Sequence, residues 1–409
     1  MSARQKIPRN AFILAFVALA SGLGQDLVAP ALPGFLLALG AARAEIGLID
    51  GLLNGATAAF RLISGLLSDR LRQRKLLVLA GYALSSIARP LLAFAKTFPA
   101  VAALRLADGI GKGTKDAPRD ALVAEAAAEI RGRAFGFHRL VDTAGSVIGP
   151  LIASIILLYF AAGPEGYRLV FALSAIPGAI ALALIIFGVR EKKRAENPAK
   201  TGSRAFPAAF WIFLAATTIA MLTRANDALV LVRAADSGVP AAWLPALFGG
   251  FTLLYALMSY PIGVWSDRLG RLPFLISGWL TLAVAEAGFA LFQTTASVVA
   301  IFIFYGMFYA LTEGTGRAFI ADLVPENSRG TAYAVFHAAT GAALILGGFG
   351  IGRVWDAVSL QAAFTTTAIG SAVAALILSS LFTIPLRTNP EPGRGRISAG
   401  DPTSRRLGL

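Results

Sequence analysis

Residues 65–75 read GLLSDRLRQRK and residues 263–271 read GVWSDRLGR, so Gly65 and Gly263, Ser68 and Ser266, Asp69 and Asp267, and Arg70 and Arg268 share one offset of 198. The same offset joins Arg119 to Arg317, Arg131 to Arg329 and Gly149 to Gly347. A repeat at that distance marks a duplicated unit. Both polar segments lie between long apolar runs, and working outward from them gives twelve runs: about 10–39, 46–68, 75–95, 100–127, 132–160, 167–189, 207–235, 241–266, 272–293, 297–325, 330–356 and 359–386. A hydrocarbon core of about 30 Å needs about 20 apolar residues per helix. Spanning strands would instead read as alternating segments of ~10 residues. The sequence therefore predicts an all-α membrane protein of twelve transmembrane helices in two pseudo-symmetric six-helix bundles. Upstream the register slips by three, so that Gln25-Asp26 in span one meets Asn226-Asp227 in span seven. An even number of spans per copy makes the two copies parallel, related by an axis along the membrane normal.

The composition agrees. Of 409 residues, 56% are hydrophobic and 15% charged, against roughly 25% charged in soluble domains; an ordinary soluble enzyme is excluded. The net charge of +14 would point to nucleic acid in a soluble protein, but here it follows topology, because Lys and Arg accumulate in cytoplasmic loops. With the N-terminus placed inside, 23 of the 37 basic residues fall in cytoplasmic segments, five (Arg43, Lys96, Arg168, Arg233, Arg353) fall outside and nine lie within spans. Both termini are expected in the cytoplasm of a cell membrane, the inner membrane of a bacterium. The basic start and AFILAFVALA at 11–20 resemble a signal peptide, but the apolar run continues toward Leu39, too long for an h-region. Trp211, Trp243, Trp265 and Trp355 fall at expected span ends, as an interfacial belt would have them. The polar break REKKRAENPAKTGSR, 190–204, divides the chain into a bundle at 1–189, a cytoplasmic linker at 190–206, a second bundle at 207–386 and a cytoplasmic tail at 387–409. With no cysteine, two histidines and four methionines, neither a disulfide, a metal site nor a cofactor is expected. GKGT at 111–114 lacks the spacing of a phosphate-binding loop, and no enzymatic activity is expected.

The two polar segments resemble the loop signature G-x-x-x-D-R-x-G-R-[RK] of the major facilitator superfamily. The second copy carries Gly270 and Arg271 in place; the first has Arg72 and Gln73 where the family has Gly and Arg. In span four, Arg105-x-x-Asp108-Gly109-x-Gly111 is similar to the family's R-x-x-Q-G-x-G with Asp for Gln. In span five, Gly145-x-x-x-Gly149-Pro150 resembles the antiporter signature, with Ala153 and Ser154 replacing its last two glycines. The resemblance implies a secondary transporter working by alternating access about a midplane site lined by spans one, four, seven and ten.

Charges inside spans are costly, so they are expected to face protein or water. Arg105, Asp108, Lys112, Lys115 and Arg119 recur at steps of three and four and share one face of span four. They read either as a substrate cavity, together with Glu313 and Arg317 of span ten, or as a self-neutralising ladder through Arg105–Asp108, Asp108–Lys112 and Asp116–Arg119. Gly109, Gly111, Gly113 and Pro118, with Gly314 and Gly316 in span ten, read as matching helix interruptions at a central site. Arg89, late in span three, reads as a snorkelling residue. Asp26 and Asp227 are proton-coupling candidates, Asp227 held by Arg224 three residues earlier, and Asp108 or a His138–Asp142 pair come next. In the loop motif, Asp69 and Asp267 are expected to cap helix N-termini and Arg70 to pair with Glu125 as a gate. The expected function is proton-coupled export of a small organic compound by a monomer; uptake or exchange of an organic anion is the alternative, and a transport-inactive receptor or scaffold the remote one.

Overall fold

The computed structural model describes residues 7–70, 74–127, 130–160, 163–191, 206–325 and 328–383. Among the described residues every regular element is a helix, as a lipid environment demands of a chain that must satisfy its backbone polar groups internally. Eleven segments are long and apolar enough to cross a membrane: Arg9–Ala38, Arg43–Gly65, Arg74–Phe94, Gly136–Tyr159, Pro164–Gly188, Ala208–Asp236, Ala241–Leu269, Arg271–Leu291, Thr295–Leu323, Arg329–Ala357 and Leu360–Thr383. A twelfth long helix, Phe98–Ala126, carries eight charged residues and misses that criterion by composition, but its 29 residues pack along the Arg43–Arg70 and Arg74–Leu91 helices. In chain order these are spans one to twelve, with Phe98–Ala126 the fourth. The protein is a multi-pass membrane protein. The side chains of Asp69 and Arg70, most of residues 190–206 and all of 387–409 lie outside the described residues.

In the first half, span one packs along span five, and span four along spans two and three; in the second, span nine packs along ten and twelve, and eight along ten. The halves meet along two seams, span two on span eleven and span five on span eight. The face holding the 65–75 and 263–271 segments is called the motif face below, and the opposite one the far face.

The expected interruptions of spans four and ten are not found. Both run as single helices, Phe98–Ala126 and Thr295–Leu323. The glycines of span four serve close packing instead: a Cβ would stand 2.5 Å from the Leu53 carbonyl oxygen at Gly109, 2.5 Å from that of Thr57 at Gly113 and 2.6 Å from the Ser85 hydroxyl at Gly111. Small residues that admit a neighbouring backbone are the usual device of helix pairs in lipid. Breaks fall instead in spans one and seven, and at Ser174 in span six. Span one is Arg9–Val28 and Leu32–Ala38, interrupted around Pro30, which has no N–H to continue the ladder. Span seven is Ala208–Leu222 and Asp227–Asp236, the second piece capped by Asn226, whose side chain accepts from the Leu229 N–H at 3.2 Å.

The far end of the span two–eleven seam is shut. Gly47 and Gly348 touch backbone to backbone, so that a Cβ on Gly348 would stand 2.5 Å from the Gly47 carbonyl oxygen, and one on Gly352 would stand 2.5 Å from the Ala44 Cα. Asp356, at the end of span eleven, accepts from the backbone N–H groups of Arg43 (3.3 Å) and Ala44 (3.0 Å), capping span two across the two halves. Arg43 also pairs with Asp236 at 3.3 Å. On the second seam the Ser154 hydroxyl accepts from the Ala246 N–H at 2.8 Å and so satisfies the start of span eight. Trp211, Trp243 and Trp265 are exposed at span ends. Trp355 departs from the expected belt: it is buried, with the Arg43 guanidinium 5.9 Å from its ring centre.

Candidate functional site

Between the halves lies a cavity of about 620 Å³. Its lining runs from Gly22, Gln25 and Lys112 in mid-span to Gly65, Asp120 and Gly330 near the motif face, while the far seam closes its other end. Of the charged residues singled out from the sequence, Lys112, Lys115, Asp116, Arg119, Asp142, Glu313 and Arg317 line it. Arg105 does not; it is buried behind the wall.

The charge ladder on span four is real but differently wired. Asp108 is buried and held from two sides, by Arg105 at 3.2 Å and by Arg89 of span three at 3.0 Å. Arg89 therefore does not snorkel: it is buried, and also donates to the Ser21 carbonyl at 3.1 Å. With Asp108 so occupied, the expected Asp108–Lys112 pair is absent. Lys112 makes no hydrogen bond or ion pair among the described residues, and stands in the cavity within electrostatic reach of Asp26, Asp50 and Asp116. Lys115 donates to the Ser21 hydroxyl at 2.7 Å with its ammonium 4.0 Å from the Tyr82 ring centre, a cation–π contact. Asp116 binds Arg61 of span two and lies 3.5 Å from Arg119, which also holds Asp120 at 2.8 Å.

Asp26 is buried, with no ion pair among the described residues; Gln25 donates to it at 3.2 Å and Ser146 of span five lies alongside. Asp227 accepts from Arg224 at 2.9 Å, as its spacing implied, and from the Tyr305 and Tyr309 hydroxyls at 2.7 and 2.8 Å. The expected His138–Asp142 pair does not form. His138 is buried with Nε2 unpartnered, whereas Asp142 turns to span one, its carboxylate 3.2 Å from where a Cβ on Gly22 would stand. Arg139 reaches across the halves to the Tyr255 hydroxyl and lies 3.8 Å from Glu313, which Arg317 holds at 2.5 Å. Gly145 and Gly149 seat span five on span one, a Cβ there meeting the Leu19 and Leu23 carbonyl oxygens at 2.5 and 2.7 Å, and Pro150 faces Gly249 of span eight.

At the motif face, Glu125 pairs with Arg74 at 2.6 Å. The N-terminus of span three is capped by Glu191, whose carboxylate accepts from the Arg74 and Lys75 N–H groups at 2.5 and 3.1 Å, a favourable place for negative charge. In the second copy Asp267 is engaged by the Arg271 guanidinium at 2.8 Å instead of by a helix N-terminus, and Arg271 also binds Asp322; Gly270 makes the turn before it at φ 90°, where an L side chain is strained.

Sequence reasoning passed over Asp50, Tyr255, Tyr305 and Tyr309. Asp50 lies on span two, bonded by the Asn54 amide at 3.2 Å and within electrostatic reach of Arg105, Lys112, Arg224 and Asp227. Its signal was available as a single acid in the apolar run IGLIDGLL. The tyrosines gave none, because an apolar span carries tyrosine for packing as readily as for hydrogen bonding.

The Major Facilitator Superfamily model matches residues 14–234 and again 209–406. An uncharacterized MFS-type transporter of Methanocaldococcus jannaschii is 27% identical over 383 residues, covering 91% of this chain and 95% of that protein. A probable 4-methylmuconolactone transporter of Cupriavidus pinatubonensis is 26% identical over 326 residues, covering 73% and 72%. Among solved structures, the nucleoside transporter NupG superposes with a TM-score of 0.74 at 16% identity over 91% of this chain and 98% of that one, a likeness of fold. Two six-span halves joined along two seams around a charged central cavity, and a family match that spans both halves, show that the chain belongs to the Major Facilitator Superfamily and is a membrane transporter.

Proposed function

We propose that the chain is a proton-coupled secondary transporter that exports a small organic compound bearing an anionic group, with the motif face in the cytoplasm. The observation that carries the substrate class is Lys112: an ammonium without a partner among the described residues, standing in a cavity closed at the far face and lined toward the motif face. A bound carboxylate would supply the partner this cation lacks. Export is favoured by the Gly145-x-x-x-Gly149-Pro150 motif, and the cytoplasmic assignment by the basic residues gathered at the motif face. Uptake or exchange of an organic anion is the second reading, favoured by six basic side chains against four acidic ones in the lining (Arg61, Lys112, Lys115, Arg119, Arg139, Arg317; Asp116, Asp120, Asp142, Glu313). The relative named as a lactone transporter supports an organic substrate for either reading.

The test is a thermal-shift panel of small carboxylates with their neutral amides, because a ligand that binds only the native state raises its stability. A carboxylate that stabilises the protein where its amide does not is the expected result. Lys112→Met should then weaken that carboxylate by about 10- to 100-fold, the ~1.5–3 kcal/mol of a charge-assisted hydrogen bond, and leave the unliganded protein's stability within about 0.5 kcal/mol. Equal binding to Lys112→Met overturns the substrate class.

Coupling is assigned to Asp26, a buried acid without an ion pair among the described residues that lies against the cavity-lining Gln25 and Ser146. In proteoliposomes carrying the carboxylate identified above, Asp26→Asn should abolish accumulation driven by a pH gradient and keep counterflow, since a permanently neutral side chain still lets the halves rock. Full gradient-driven accumulation by Asp26→Asn places the proton elsewhere; the sign of the gradient that drives accumulation separates export from uptake.

A further inference from the structure

Glu286 of span nine takes no part in the cavity. It is 1% exposed; Ser371 of span twelve donates to its Oε2 at 2.7 Å and Thr367 lies alongside, but Oε1 is buried with no hydrogen-bond partner among the described residues. A carboxylate in that position would leave a charged oxygen dry, which burial strongly disfavours; a carboxylic acid would not. The charged side chain within electrostatic reach is Arg224 of span seven. Arg224 is also half used: its hydrogen bonds to Asp227, Tyr305 and Tyr309 all leave from Nη2, and its Nε is buried without a partner. The second bundle thus holds an acceptor without a donor and a donor edge without an acceptor among the described residues, with Arg224 bound to Asp227 and within electrostatic reach of Glu286.

We infer that Glu286 is a second proton-binding site, exchanging its proton against the Arg224 guanidinium and Asp227. In the conformation described, Glu286 carries the proton and Asp227 the guanidinium. When Arg224 turns its Nε edge to Glu286, the Glu286 O–H bond breaks and its proton passes to solvent water; Asp227, deprived of its cation, takes a proton from a hydronium ion on one carboxylate oxygen while the two tyrosine hydroxyls still bond to it. One proton leaves one carboxyl and one joins the other, and the charge within the bundle is unchanged. The inference rests on the proton-coupled reading for its use in transport, but its test needs no substrate.

The test is infrared difference spectroscopy of the purified full-length chain in liposomes, stepped from acidic to alkaline buffer. Wild type should show the C=O stretch of a protonated carboxyl that is absent from Glu286→Gln and moved in frequency in Ser371→Ala. In Asp227→Asn, where Arg224 is released, the band should vanish at a pH at which wild type keeps it; in Arg224→Met it should persist to higher pH. A full set of carboxyl bands in Glu286→Gln overturns the site, and so does failure of that isosteric variant to fold, because the neutral amide replaces a neutral acid. An unchanged band in both Asp227→Asn and Arg224→Met overturns the exchange. None of these outcomes bears on the Asp26→Asn flux result, so the two ideas fail separately.

Discussion

Gly348→Leu should trap the transporter with its far face open and abolish net transport. The Gly47 and Gly348 backbones are in contact, and even the first carbon of a side chain at Gly348 would stand 2.5 Å from a carbonyl oxygen and 2.6 Å from the Asn226 amide nitrogen. Neither is the yielding tip of a flexible chain: the oxygen is backbone, and the amide is held by its own 2.8 Å bond to the Gly47 carbonyl. One forced methylene in a packed seam costs about 1–3 kcal/mol, so a leucine should shift the closed population by about 100-fold or more, and Gly348→Ala by less. The absence of cysteine from the sequence makes the measurement direct. A single Ala334→Cys in the cavity lining reports access from the motif face, and a single Ala44→Cys, buried under the closed seam, reports access from the far face. With Gly348→Leu, labelling by a membrane-impermeant maleimide should rise at Ala44→Cys and fall at Ala334→Cys. Gly350→Leu, two residues away with open space at its Cβ position, should change neither. Unaltered labelling in Gly348→Leu would show that the seam does not act as a gate.

What the sequence made legible was whatever repeats or has a period. The twelve spans, the duplication at one offset and the shared face of span four all follow from spacing, and the family match and helices agree with them. What it left open was partner choice. Arg89 and Asp108 are 19 residues apart, on different spans; spacing within one helix can propose Asp108–Lys112 but is blind to an arginine arriving from the next helix. Glycines misled for a related reason. In span four they looked like interruptions, whereas their role is to let two other spans approach, which depends on a neighbour's backbone that one-dimensional spacing does not contain. The breaks in spans one and seven were readable only in part, through Pro30 beside Asp26 and through the capping Asn226 before Asp227.

The rewiring around Asp108 has a large consequence of its own. Asp108→Asn should destabilise the protein by about 3–5 kcal/mol, the cost of removing one partner from a buried ion pair, and here the orphaned partners are two. Arg89 and Arg105 are 3% and 2% exposed, and both direct their guanidinium groups at the one carboxylate; without it two like charges remain in a dry core. Lys112 has no share in that network, so Lys112→Met should leave the loss as it stands. Arg89→Met, which removes one of the two charges and keeps an apolar stem of similar length, should recover part of it when combined with Asp108→Asn. Thermal unfolding of the wild type, the three single variants and the two double variants in detergent checks this, with the coupling taken from the double-variant cycles. The ordering is diagnostic: rescue by Lys112→Met and not by Arg89→Met would mean that Asp108 answers to the cavity cation, and Lys112 could then no longer be the free charge that awaits a substrate.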